Sequence, residues 1–143
     1  MTAKANFLRT SATLILGSLL ATQAFAHGDV TPQKMDVSAL PKLGEEWVEE
    51  NPYVGNEDAL KIGESAYAQN CARCHGLDAV SGGIAPDLRY LEPGIEGDEW
   101  FVYRVRNGAV RNGVPYMPKM ADYLSQETLW SIRAWLVSKH VEQ

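Results

Sequence analysis

Five consecutive residues, Cys71-Ala72-Arg73-Cys74-His75, constrain this chain more than any other feature. C-x-x-C-H is the attachment signature of a c-type haem. Two thiols three residues apart lie on one helical turn, so each can add to a vinyl group of the same porphyrin. The histidine that follows is then held against the iron, where its imidazole serves as proximal axial ligand. A chain carrying this motif is expected to pack its helices around one flat, covalently anchored group, haem c.

The rest of the sequence supplies a setting for that motif. Lys4 and Arg9 give a basic start, Thr10 to Thr22 are largely apolar, and Ala24-Phe25-Ala26 offers a small-x-small cleavage pattern. This reads as a signal peptide over residues 1–26, with an apolar run too short for stable membrane insertion. Export agrees with the motif, because covalent haem addition belongs to the outer side of a membrane; the expected location is the periplasm. Both cysteines of the chain stand in the motif. An exported protein could join them as a disulfide, but the three-residue spacing followed by histidine favours haem attachment.

Residues 27–143 contain 11 basic and 18 acidic side chains, a formal charge of −7. That argues against nucleic acid and anionic membrane surfaces as partners and for a soluble monomer. It also predicts steering toward a locally basic partner surface.

Residues 27–55 read as an N-terminal extension, with Pro32, Pro41 and Pro52 and the acidic run Glu45-Glu46-Trp47-Val48-Glu49-Glu50. One helical turn is expected at Glu45 to Glu50, ended by Pro52. Residues 56–143 read as the haem domain. Asn56 is a good N-cap, Glu57 and Asp58 suit a first turn, and Ala59, Ile62, Gly63, Ala66 and Tyr67 recur at helical spacing up to Cys71. A second helix is expected over Asp98 to Asn107, closed by Gly108. Asn112-Gly113 marks a turn, so residues 108–120 read as a loop. Ser125 caps a last helix striped by Leu129, Ile132 and Leu136, with Trp135 beside them. No run alternates at period two, so the fold class is all-α.

The iron needs a second axial ligand, and a thioether opposite an imidazole suits electron transfer. Met117, stiffened by Pro118, is the expected ligand, with Met120 as fallback; either could instead fill a core gap. His75 needs an acceptor on its other ring nitrogen, and a carbonyl near Pro86 can supply it. Trp100, Arg89, Arg104, Arg106 and Arg111 are candidates for contact with the haem propionates.

In that order the features resemble class I cytochromes c from Asn56 to Lys139. Gly63 and Tyr67 stand where that family packs its N-terminal helix against a C-terminal one, here through Ile132, Trp135 and Leu136. Pro86-Asp87-Leu88 resembles the loop that holds the proximal histidine, and Met117-Pro118 the sixth-ligand loop. The stretches from His27 to Pro32, Gly44 to Trp47, Asn70 to Leu77, Ser81 to Leu88 and Val105 to Gly113 are similar to PedF-type periplasmic cytochromes. The resemblance implies a single-electron carrier that accepts from a quinoprotein (PQQ-dependent) alcohol dehydrogenase. It would pass electrons toward a terminal oxidase or another cytochrome.

Three other functions compete with that expectation. A haem enzyme or gas sensor requires an open sixth position, against which the Met-Pro loop argues. A dithiol oxidoreductase would use Cys71 and Cys74 as its redox pair, but expects a strand before the motif. A carrier for a different periplasmic dehydrogenase or reductase would share every residue above.

Overall fold

In the computed structural model the described residues are Thr31–Glu142; the expected signal segment, its cleavage site and His27 lie outside them. Four helices dominate: α1 (Glu57–Asn70), α2 (Ala72–His75), α3 (Ile95–Asn107) and α4 (Gln126–Ser138). Among the described residues no helix is long and apolar enough to cross a membrane.

The frame is the crossing of α1 on α4. Each helix starts at the cap the sequence predicts: Asn56 Oδ1 accepts from Ala59 N at 3.0 Å, and Ser125 Oγ accepts from Thr128 N at 3.2 Å. One orphan amide of each first turn is thereby satisfied. Gly63 sits at the crossing, where a Cβ would stand 2.0 Å from the Ser131 carbonyl oxygen. Only glycine lets the two backbones approach so closely. Tyr67 and Trp135 then stack across the same junction, ring centroids 4.6 Å apart.

α4 is buried on nearly every side, from Thr128 through Leu136. One side, with Leu129, Ile132, Trp135 and Leu136, packs against Tyr67, Phe101, Val105 and Met120. The other, with Trp130 and Ala134, packs against Leu40, Tyr53 and Ala59. The extension supplies that second cover. It forms no helical turn at Glu45 to Glu50, contrary to expectation, since four crowded carboxylates disfavour one. Its backbone bonds instead to α4 and α3. Val48 N donates to Gln126 Oε1 (2.8 Å), Gln126 Nε2 to Glu46 O (3.0 Å) and Leu43 N to Glu127 Oε1 (3.0 Å). Asn51 N donates to Asp98 Oδ2 (2.8 Å), and Asn51 Nδ2 to Trp130 O (3.1 Å).

Asp98 also pairs with Arg133 Nε at 2.6 Å, both side chains almost fully buried, while Arg133 Nη2 donates to Glu92 O at 2.6 Å. One buried ion pair thus ties together α3, α4, the loop before α3 and the extension. α3 begins at Ile95, earlier than expected. Gly97, in its first turn, reads as a breaker, yet it is needed there: a Cβ would lie 1.7 Å from Glu92 O.

The all-α expectation needs one correction. Residues 108–120 hold a two-stranded antiparallel hairpin, β1 (Ala109–Arg111) and β2 (Val114–Met117), with Arg111 paired to Val114 and Ala109 to Met117. Asn112 (φ +50°) and Gly113 (φ +77°) both adopt the left-handed conformation that a tight two-residue hairpin turn requires. Strands of three and four residues are too short for a period-two pattern to appear in the sequence.

Candidate functional site

α1 ends at Asn70, and the chain re-enters a helical turn with the motif. Cys71 N donates to Tyr67 O (2.8 Å), and both Cys74 N and His75 N donate to Cys71 O (3.1 and 3.0 Å). This single turn sets the two thiols one above the other. They are unpaired and unequal: Cys71 is half-buried against the main core cluster, Cys74 exposed. Burial, then the neighbouring Cys74, pushes the Cys71 thiol up to about 12. A redox-active cysteine needs the opposite shift.

The chain turns sharply after His75. Gly76 has φ +82°, and a Cβ there would stand 1.9 Å from Val80 O. Its carbonyl accepts from the buried Tyr67 hydroxyl at 2.8 Å. Burial raises the Tyr67 phenol well above its usual range, so it remains a proton donor to that carbonyl. The turn sends the chain into the loop that returns as Pro86.

His75 Nδ1 lies 2.8 Å from Pro86 O. A carbonyl can only accept, so Nδ1 carries the proton and Nε2 presents a lone pair. The Pro86 loop is itself braced. Ser81 Oγ donates to Ala85 O and accepts from Gly83 N, and Ser81 N donates to Asp87 Oδ2 at 3.1 Å. Asp87 binds Arg89 through both oxygens, Nη2 to Oδ2 at 2.8 Å and Nε to Oδ1 at 3.0 Å. The guanidinium holds the Asp87 carboxyl down to about 2. Val141 N donates to Arg89 O (3.1 Å), fixing the far end of the loop to the chain after α4.

Beside this loop lies a cleft of about 310 Å³, lined chiefly by Pro86, Leu88, Tyr90, Leu91 and Trp100. Trp100 is a wall of that cleft, 43% exposed, not a core residue. Met117, at the end of β2, is half-buried and packs on the same cluster as Cys71, Ala72, Leu88 and Leu91. Met120 differs: only 5% exposed, it is part of the cluster itself. Gly108 closes α3 and lets the helix end touch the Met117-Pro118 segment, since a Cβ would lie 2.4 Å from Met117 O. Two thiols on one turn, an imidazole with a defined free nitrogen, and a half-buried thioether on the cluster that Cys71, Leu88 and Leu91 also touch fit a covalently held haem.

Of the arginines considered for the propionates, Arg89 is engaged with Asp87. Arg104 stacks over Trp100 at 5.1 Å, Arg106 over Trp47 at 5.4 Å and Arg111 over Tyr116 at 5.7 Å. Sequence reasoning missed Arg133, Asp98 and Gln126 as organisers of the scaffold. The available signal was an arginine on the same helical stripe as Leu129 and Leu136.

Comparison with known proteins agrees with this geometry. Residues 58–136 match the family model described as cytochrome C oxidase, cbb3-type, subunit III. The chain is 58% identical to cytochrome c550 of Pseudomonas aeruginosa over 144 aligned positions, covering 98% of this chain and 99% of that protein. It is 36% identical over 89 residues to quinohemoprotein alcohol dehydrogenase ADH-IIG of Pseudomonas putida, covering 62% of this chain. It spans only 12% of that enzyme's length. A solved structure of ADHIIG from Pseudomonas putida HK5 aligns over 69% of this chain and 14% of that chain, at 31% identity and a TM-score of 0.49.

Proposed function

This chain belongs to the cytochrome c family, and we propose that it is a periplasmic carrier of single electrons from a quinoprotein alcohol dehydrogenase toward a terminal oxidase or another cytochrome. It is an electron-transfer protein and not an enzyme. Haem, when bound, supplies the one-electron ferric/ferrous couple.

The chain's own residues do the rest. Cys71 and Cys74 anchor the group and have no redox role of their own. His75 would hold the iron through Nε2, whose tautomer the Pro86 carbonyl fixes. Met117 would hold it through its thioether sulfur. Its position at the cluster rim supports this role, while Met120 is already committed to the core. Leu88, Leu91 and Trp100 keep the cleft wall apolar, which would exclude water from a haem seated against it.

The observation that carries the reading is the 2.8 Å contact between His75 and Pro86, which leaves one imidazole nitrogen free beside two stacked thiols. The dehydrogenase partner rests on the resemblance to PedF-type cytochromes and on the likeness to the enzyme ADH-IIG named above. There the similar stretch is part of a quinohemoprotein alcohol dehydrogenase. A reduced quinone cofactor holds two electrons, so two encounters with this protein would reset its donor.

Two measurements test this. The ferric protein should show the absorption band of methionine-to-iron ligation, lost in Met117→Ala and kept in Met120→Ala. If the wild type lacks the band, the sixth position is open and the carrier reading fails. The purified ferric protein should also be reduced by a quinoprotein alcohol dehydrogenase plus alcohol, faster than by other periplasmic donors.

A further inference from the structure

The acid excess of this chain is not evenly spread. The 22 residues from Trp100 to Ala121 contain Arg104, Arg106, Arg111 and Lys119 and no acid, whereas the other residues after position 26 hold all 18 acids. This stretch is one lobe: the C-terminal part of α3, the β1–β2 hairpin and Met117 at its end.

The basic side chains of the lobe also differ in how they are held. Elsewhere Lys61, Arg89, Arg133 and Lys139 each pair with an aspartate. Within the lobe, Arg104, Arg106, Arg111 and Lys119 form no salt bridge among the described residues. Arg104 and Arg111 lie instead over rings of the same stretch, and Arg106 over Trp47 of the acidic run in the extension; stacking orders a guanidinium without neutralising it. Around them Tyr103, Val110, Val114 and Tyr116 are each more than half exposed. Ordered arginines among exposed tyrosines and valines are the composition of a recognition surface.

From this we infer that the hairpin lobe is the face on which the electron donor docks, and that the donor's complementary surface is acidic. This rests on the carrier reading above. It reverses the expectation from net charge, which called for a basic partner. The local field governs because charges beyond about a Debye length, ~8 Å at physiological salt, are screened from the contact.

The test compares two double variants of equal net charge. Arg111→Glu/Lys119→Glu reverses the lobe, and Lys34→Glu/Lys61→Glu reverses two exposed lysines outside it. Retained haem absorption and melting temperature exclude misfolding; Arg111→Gln/Lys119→Gln provides a milder lobe variant. With ferricyanide, an anionic probe, oxidation of the ferrous wild type should slow as salt is added. The remote variant should keep that slope and the lobe variant should invert it. With the dehydrogenase and alcohol at low salt, the lobe variant should be reduced about tenfold more slowly, while the remote variant stays near wild type.

A ferricyanide rate that rises with salt in the wild type overturns the inference. So does dehydrogenase reduction that ignores the lobe charges. If the dehydrogenase fails to reduce even the wild type, the donor assignment falls, and the ferricyanide slopes still decide whether the lobe field is cationic.

Discussion

The α3–α4 junction and the hairpin lobe handle charge in opposite ways. At the junction Arg133 and Asp98 are buried against each other, and Asp98 also accepts from the extension backbone. In the lobe Arg106, Arg111 and Lys119 are exposed and form no salt bridge among the described residues. A buried charge must be paired, so the junction's cation, Arg133, serves to join elements that are distant in sequence. An exposed charge costs little to leave unpaired, so the lobe's cations stay available to another molecule. The same chain thus separates charges that build it from charges that it can present.

The sharpest way to break this contrast is Asp98→Ala. Arg133 would remain buried with a full charge and no carboxylate, and its Nη1 already lacks a hydrogen-bond partner. Removing one partner of a buried pair costs about 3–5 kcal/mol. Chemical denaturation should show that loss. Asp98→Asn/Arg133→Met should recover much of it, because the lone charge is then gone. If Asp98→Ala alone is neutral, the pair is not what ties α3 to α4.

Next comes Gly63→Ala. The added Cβ meets a backbone carbonyl that cannot swing aside. Overpacking of this kind costs about 1–3 kcal/mol, and the fall in melting temperature should accompany loss of haem-region structure, since α1 leads directly into Cys71. Arg133 and Gly63 also show what the sequence conceals. The helix caps, the motif turn and the glycine ending α3 are legible because each depends on residues within a few positions. The extension's docking is not, because Val48, Leu43 and Asn51 bond to partners 47 to 84 residues away through groups that any sequence contains. The hairpin was legible only as its Asn112-Gly113 turn. For the site, the Pro86 contact was readable because His75 needs an acceptor and Pro86-Asp87-Leu88 resembles the loop that supplies one, whereas the bracing of that loop by Ser81, Asp87 and Arg89 was not. The separation of charge was in the sequence as well, but a net total conceals it.

Gly113→Ala probes the lobe with a smaller effect. Gly113 has φ +77° and open space around its missing Cβ, so only backbone strain of about 1–2 kcal/mol is added. The strain is confined to the hairpin that ends in Met117. On heating, the band of methionine-to-iron ligation should disappear earlier than helical structure melts. In Asp98→Ala the two should fail together. A Gly113→Ala protein in which ligation and melting stay coincident would join the lobe to the scaffold as one cooperative unit.

The smallest effect belongs to the Asp87–Arg89 pair, which lies between these extremes: partly exposed, yet paired and part of the loop that carries Pro86. Arg89 lowers the Asp87 carboxyl from its ordinary value of 3.8 to about 2. A carboxyl whose affinity for protons is weaker when folded adds stability above its unfolded value and loses it as pH falls toward the folded one. The contribution should therefore be present above about pH 4 and vanish near pH 2. For a pair this close to solvent it is worth about 1 kcal/mol or less. Asp36 and Glu127 are also held low by backbone hydrogen bonds, so the wild type alone will lose stability in acid. The informative quantity is the difference from Arg89→Gln. That variant should be slightly less stable than wild type at pH 5 and converge with it near pH 2. A difference that persists at pH 2 would mean that the Arg89 side chain steadies the loop through its stacking over Tyr90 and not through its charge on Asp87.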